Sequence, residues 1–362
     1  MSTQVRFRVG AIGHTGRGNF GHGLHLGFVG VDGVQPVAVA DPDPAGRAAA
    51  QQEIGAANGY ADYREMLAAE SLDIVAVCPR YVDRHEELLM AAIDAGCHIY
   101  CEKPMTADLA AADRVIAAAD AKGLKIAVAH QNVYLPQLQE LRRRVDDGLI
   151  GTLLELRGTG KQDRRGGGED MLVLGTHLFN TMRYFAGDVA WITGHVTVGG
   201  REIGPGDARE ATEPIGLIAG DAVTGYYSFA GGAAGSFTSR ANQPGNGRGF
   251  SLQLIGDRGS VAMRGAGSDI VIARHDHWAP WDGFDGWDPL DLGTGELHKD
   301  GNRLAIEDLI AAIDADTEPL SSARAARAAL EMIHGIYASQ ITGARVAVPL
   351  ADRSHPLQRL QV

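Results

Sequence analysis

Residues 5–18 read Val5-Arg-Phe-Arg-Val-Gly-Ala-Ile-Gly13-His-Thr-Gly16-Arg-Gly18, and residues 34–41 read Val34-Gln-Pro-Val-Ala-Val-Ala-Asp41. Each begins with an apolar run of strand length. The first ends in glycines and the second in a carboxylate. Between them lies a stretch compatible with a helix, through about Val29. Gly13 and Gly18 hold the outer positions of a GxGxxG pattern, Thr15 takes the middle position, and Gly16 follows it. Asp41 comes 23 residues after Gly18. Strand, glycine turn, helix, strand and acid at this spacing suit a dinucleotide: backbone N–H groups hold the pyrophosphate, and the carboxylate accepts from the adenosine ribose. Gly13, Thr15, Gly16, Gly18 and Asp41 are therefore candidate cofactor-binding residues. A carboxylate at Asp41 repels a 2′-phosphate, and Pro42, Asp43 and Pro44 after it bring no cation, so NAD is expected over NADP.

Outward from this point, short apolar runs alternate with helical stretches: Ala45–Ile54, Asp62–Ala69, Ile74–Cys78, Arg84–Ala95, His98–Cys101, Ala107–Lys122 and Lys125–Ala129. The rhythm implies βαβ units on a parallel sheet. After about residue 130, and after a helix at Leu135–Asp147, it changes to alternating segments joined by glycine-containing turns: 153–158, 192–198, 215–219, 223–229, 233–239, 250–255, 260–263 and 270–273, with one helix near His177–Phe185. The expected fold is an α/β Rossmann domain over 1–128, followed by an α+β domain with an open, mostly antiparallel sheet over 129–362. Helices over about 303–340 are expected to pack back on the first domain.

Composition narrows the function. The chain has 362 residues, 45% hydrophobic and 22% charged, with a formal net charge of −12. That charge disfavours nucleic acid or an anionic membrane as the main partner. Three cysteines without CxxC spacing read as reduced, buried thiols. The amino terminus runs directly into a strand, and no apolar stretch reaches eighteen residues, so a cytoplasmic protein is expected.

The fourth strand leads into Cys101-Glu102-Lys103-Pro104. With Gly96-Cys-His-Ile-Tyr before it, this resembles the signature of the Gfo/Idh/MocA family, which takes in glucose-fructose oxidoreductases and inositol dehydrogenases. Val77-Cys-Pro-Arg-Tyr-Val-Asp-Arg-His85 is similar to the family's TPNxxH loop, and Asp147-Gly-Leu-Ile-Gly151 to its xGxIG turn. Gly166–Gly168 with Gly175-Thr-His177 resembles its GGG…GxH segment, and Val346-Ala-Val-Pro349 its final strand. The resemblance spans nearly the whole chain. It implies cofactor contacts at Pro79, His85, Glu102 and Lys103, a peptide bond before Pro104 that is often cis, and oligomers built through the open sheet face, a homodimer or homotetramer here. It also implies acid/base roles for Lys103 and His177. The residues support this independently. A lysine at the C-terminal end of a Rossmann strand faces the ligand crevice and can steady a developing alkoxide, and an imidazole titrates near neutrality.

The sequence also departs from the family's DxGxHxxD. Val173 and Asn180 stand where it carries aspartates; valine takes no proton, and asparagine orients a hydroxyl without acting as a base. Either His177 suffices as base, or Glu169 or Asp170 supplies the missing carboxylate, or the chemistry differs. Further candidate substrate-binding residues are Asn132 after the fifth strand, and Asp163 and Arg164 ahead of the triple glycine. A loop from His275 to Trp287 carries three of the four tryptophans; Trp278 and Trp281 there suit stacking on a sugar ring. His275 and His277 have no third ligand placed with them, so no metal is expected. The reading is an NAD(H)-dependent oxidoreductase acting on a secondary alcohol of a sugar, cyclitol or glycoside. The alternatives are an NAD-dependent glycosidase or lyase using transient ring oxidation, and a non-catalytic NAD- or sugar-binding protein.

Overall fold

The computed structural model describes residues 5–243, 250–267, 269–274 and 286–361. Trp278, Trp281, His275 and His277 lie outside the described residues. The chain divides into two compact units, one of residues 1–134, 213–216 and 296–327, the other of 135–212, 217–295 and 328–362.

In the first unit, β1 (Phe7–Ile12), β2 (Val34–Ala40), β3 (Asn58–Tyr60), β4 (Ile74–Val77), β5 (His98–Cys101) and β6 (Ile126–Val128) form a parallel sheet in the order β3-β2-β1-β4-β5-β6. This is the Rossmann order, with its crevice at the carboxyl ends of the strands, where the strand order reverses between β1 and β4. The apolar runs become strands because both faces are covered. All four residues of β4 are buried, and Val75, Val77, Leu89, Ile93, Ile99, Val115 and Val128 share one core. The helices α1 (Pro44–Ile54), α2 (Tyr63–Ala69), α3 (His85–Asp94) and α4 (Leu109–Ala121) connect the strands. Asp43, Asp62 and Asp108 cap α1, α2 and α4 by accepting from main-chain N–H groups one turn in, which satisfies donors that a helix start leaves open.

One element differs from expectation. No α-helix follows the glycine turn; a single 3-10 turn, Leu24–Phe28, stands there. Gly16, Gly18, Asn19, Gly21 and Gly23 all have positive φ, a conformation that a right-handed helix excludes. The connection is instead a chain of tight turns.

The second unit opens with α5 (Pro136–Asp146). It then builds a mixed, mostly antiparallel sheet from β7 (Leu153–Thr159), β8 (Val189–Val198), β9 (Arg201–Glu202), β12 (Ala222–Phe229), β13 (Ala234–Arg240), β14 (Ser251–Gly256), β15 (Gly259–Arg264), β16 (Asp269–Arg274), β17 (Asp288–Pro289) and β18 (Val346–Ala347). The pair β10 (Arg209–Glu210) and β11 (Leu217–Ile218) stands apart. Two helices directly precede β8: α6 (Gly168–Val173), a single short helix beyond the one expected near His177–Phe185, and α7 (Gly175–Ala186). Phe179 of α7 meets Tyr227 and Phe237 with ring centroids 5.6 and 4.9 Å apart. Later come α8 (Lys299–Ala315), within the first unit, and α9 (Ala323–Thr342). Ile336 of α9 lies so close to Gly194 and Gly225 that a Cβ on either would come within 2.5 Å of it. One sheet face is thus covered by helices, while Thr224 and Tyr226 on the other are exposed.

Candidate functional site

The first part of the site is the glycine turn. Gly13, His14, Arg17, Asp41 and Tyr63 line a cleft of about 250 Å³, together with Pro79. Gly18 must be glycine: its φ is +83°, and a Cβ would come within 2.4 Å of the Arg80 nitrogen. The irregular Thr15 has a definite use. Its N–H and hydroxyl donate to Asp41 Oδ2 at 2.9 and 2.8 Å, and Asp43 N–H donates to Oδ1 at 2.9 Å. Gly46 makes room for it, since a Cβ there would fall 1.9 Å from Thr15 Oγ1. The threonine hydroxyl therefore adds a second tie from the turn to the end of β2, one that a middle glycine could not supply. Each of the three arginines lining the cleft holds a carboxylate: Arg17 pairs with Asp83, and Arg64 and Arg84 pair with Glu87. Arg47, next to them, donates from Nη1 to the Asp41 main-chain carbonyl at 2.6 Å.

The second part is built at the end of β5. Glu102 is fully buried and accepts from Lys103 N–H at 2.9 Å, His22 N–H at 3.0 Å and His22 Nδ1 at 2.9 Å. Burial alone would push its carboxyl up. The His22 hydrogen bond and the charges of His22 and Lys103 outweigh that and hold it at about 2, so it is a fixed anion. Lys103 is 5% exposed, and the Lys103–Pro104 bond is cis. Asn132, on the 3-10 turn Gln131–Tyr134, is buried with no protein partner for its Oδ1. A carbonyl oxygen kept dry and unpaired is costly, and it fits an amide or hydroxyl donor of a bound cofactor or substrate. The Asp41 carboxylate, the arginines already paired and this orphaned oxygen together fit NAD.

His85 has a different use from the cofactor contact expected of it. It is fully buried, with Nε2 2.6 Å from the Pro79 carbonyl and Nδ1 2.9 Å from that of Pro104. Main-chain oxygens occupy both ring nitrogens, so the ring braces two loops against each other. Glu102 likewise spends its oxygens on protein donors rather than offering them outward.

A separate group of candidate residues lies in the second unit. Gly166, Gly167 and Gly168 run against the main chain of residues 219–221 and 240–241; a Cβ on any of them would come within 2.5 Å of a backbone oxygen there. Ser239 ties this crossing to α6: Gly167 N–H donates to its Oγ at 3.0 Å, and its hydroxyl donates to Asp170 Oδ2 at 2.6 Å. Asp170 Oδ1 is buried without a partner. Burial raises the Asp170 carboxyl, with Ser239 and Gln162 N–H opposing. Glu169, the other carboxylate considered, is consumed: it accepts from Thr212 N–H and hydroxyl at 3.2 and 3.0 Å and faces Arg209 at 3.6 Å. His177 and Asn180 are buried on α7. Asp163 is held by Arg165 at 2.9 Å, and Arg164 is exposed. Ser239 and His22 are not among the candidates that the sequence pattern marks. The Gly21-His22-Gly23 triplet was a usable signal for His22; nothing local marks Ser239.

A six-stranded Rossmann sheet with this turn and acid defines a dinucleotide-binding protein. Residues 7–130 match the oxidoreductase family model described as an NAD-binding Rossmann fold, and residues 138–262 match the same family's C-terminal domain. The chain belongs to the Gfo/Idh/MocA oxidoreductase family. It is 25% identical over 252 residues to levoglucosan dehydrogenase from Pseudarthrobacter phenanthrenivorans, a match covering 63% of this chain and 64% of that protein. It is 30% identical over 157 residues to inositol 2-dehydrogenase from Corynebacterium glutamicum, covering 41% of this chain and 46% of the relative. These matches thus span less than two thirds of each relative. Among solved structures, levoglucosan dehydrogenase in complex with NADH and levoglucosan superposes with a TM-score of 0.76 at 20% identity, over 95% of this chain and 99% of that one. An NAD binding oxidoreductase from Klebsiella pneumoniae gives 0.75 at 22%, over 95% and 99%. At such identities the likeness is one of fold.

Proposed function

We propose that this chain is an NAD(H)-dependent dehydrogenase acting on a secondary alcohol of a sugar, cyclitol or glycoside. The observation that carries the reading is Lys103, set at the end of β5 beside a buried Glu102 whose carboxyl is held at about 2 and accepts the Lys103 main-chain N–H. The names of the relatives, levoglucosan and inositol dehydrogenases, support the substrate class. Bound nicotinamide would supply the two-electron acceptor. As a neutral amine Lys103 accepts a hydrogen bond from the substrate hydroxyl and takes up its proton as negative charge develops on the oxygen, and as the resulting ammonium it donates back to that oxygen. His177 serves as acid/base partner. Asp170, with a raised carboxyl and an unpaired oxygen, supplies the carboxylate that Val173 and Asn180 do not. Asp41 accepts from the ribose hydroxyls, and Asn132 orients the carboxamide or a substrate hydroxyl.

Asp163, Arg164, Asn180, Trp278 and Trp281 are assigned to substrate, and Gly13, Gly16, Gly18 and Pro79 to cofactor. A cytoplasmic homodimer or homotetramer joined through the sheet face carrying Thr224 and Tyr226 completes the reading. Screening sugars, cyclitols and glycosides with NAD⁺ and NADP⁺ tests it. NADH formation with at least one polyol is expected, with NADP⁺ weaker. Tight NAD⁺ binding without turnover across the panel would overturn it. The Val173 and Asn180 departures favour one second reading, a glycosidase or lyase that oxidises the ring only transiently.

A further inference from the structure

His22 and His298 belong to none of the roles assigned above, yet they stand against the Glu102–Lys103 pair. His22 sits between Gly21 and Gly23, both at positive φ. A Cβ at Gly21 would fall 2.5 Å from Glu102 Oε2, so the chain is shaped to bring this imidazole onto the carboxylate. Two main-chain N–H groups and His22 Nδ1 meet Glu102; the imidazole is the one side-chain donor among these three. An ionised carboxylate only accepts, so Nδ1 carries the hydrogen. The outer face of His22 is stacked on His298, with ring centroids 4.9 Å apart and 20° between planes.

Asn302 fixes the loop: its Nδ2 donates to the His22 carbonyl at 3.0 Å, while its Oδ1 accepts from Tyr100 at 2.7 Å and Gln131 at 3.0 Å. The cluster thus holds one buried carboxylate and three bases. Among the described residues, other titratable groups facing it include the thiols of Cys78 and Cys101 and the phenol of Tyr100, all pushed well up by burial, with the Glu102 charge adding to it. On α8, Arg303 is paired with Asp300 and Glu307. Burial lowers His298, and the His22 and Lys103 charges lower it further against the pull of Glu102. The lysine is therefore electrostatically in touch with the histidine pair.

Resting on the reading of Lys103 as the proton-handling group, we propose that His22, seated on Glu102 and stacked against His298, is a positioning residue that keeps the Lys103 amine able to release and take up a proton. A buried anion left to Lys103 alone would lock the lysine as ammonium, which cannot accept the hydroxyl proton. The His22 N–H engages that anion, and any charge on the imidazole opposes charge on the lysine. Several such sites this close titrate together rather than one by one.

The chain has five lysines, Lys103, Lys122, Lys125, Lys161 and Lys299. Full-length protein labelled with ¹³C at lysine Cε therefore gives few signals, and Lys103→Met assigns the one of interest. Followed against pH, the Lys103 titration is expected to move up by about one unit in His22→Ala. The move should be smaller in His22→Gln, which keeps the hydrogen bond without the charge. An unchanged Lys103 titration in His22→Gln, folded by thermal melting, would overturn the proposal even if His22→Ala does not fold. Full turnover in Lys103→Met would remove the functional reading on which the proposal rests. Loss of turnover there, with unmoved titrations in the histidine variants, would remove only this inference.

Discussion

Glu102 and Asp170 are both buried carboxylates in the two units of one chain, and they are handled in opposite ways. Glu102 receives three N–H donors and keeps its charge despite complete burial. Asp170 receives one hydroxyl and one long main-chain N–H at 3.2 Å, leaves an oxygen unpaired, and is pushed up. Donor count and donor charge decide which way burial turns. Environments that push two carboxylates apart allow one to serve as fixed charge and the other to exchange a proton.

The largest effect expected from breaking this contrast is at the group that Glu102 serves. Lys103→Met should lower turnover by about a thousandfold while NAD⁺ affinity, read by fluorescence titration, stays within about threefold. Glu102→Gln comes next. The folded carboxyl lies below its ordinary value, at about 2, so its contribution is present above the ordinary carboxylate range and is lost as pH falls toward 2. That contribution is about 3 kcal/mol. Thermal melting against pH should therefore show the variant well below the parent at neutrality and converging on it in acid.

Asp170→Asn sharpens the comparison by having the other sign. The folded carboxyl is raised, so ionising it costs stability as pH rises through the carboxylate range. The melting difference should shift in favour of the variant as pH increases, while turnover falls about tenfold. Parallel pH slopes in the two variants would show that the carboxylates are not handled differently. The smallest effect is at the cofactor turn: Thr15→Val removes one hydroxyl bond to Asp41, worth about 1 kcal/mol, and NAD⁺ affinity should weaken roughly fivefold.

Much of this was legible in the sequence because it is local. The strands of the first unit are continuous apolar runs, and Asp41 and Glu102-Lys103-Pro104 sit at strand ends, where a linear reading places them. What was not legible depends on partners distant along the chain. Glu169 and Asp170 are adjacent and chemically similar; Thr212 engages one and Ser239 the other, and no window around residue 170 contains either partner. The helix expected after Gly18 fails because glycines and Asn19 turn to positive φ, a choice that propensity leaves open. His85 reads as a ligand-facing imidazole until Pro79 and Pro104 are seen to hold both its nitrogens.

The most direct test of the central claim is the stoichiometry of the reaction on whichever polyol the screen selects. NADH formed and substrate consumed should rise together, one for one, with the carbon skeleton and any glycosidic bond intact. Substrate cleaved at a glycosidic bond with no net NADH, at a rate still dependent on NAD⁺, would contradict the account and assign the chain to bond cleavage through transient oxidation.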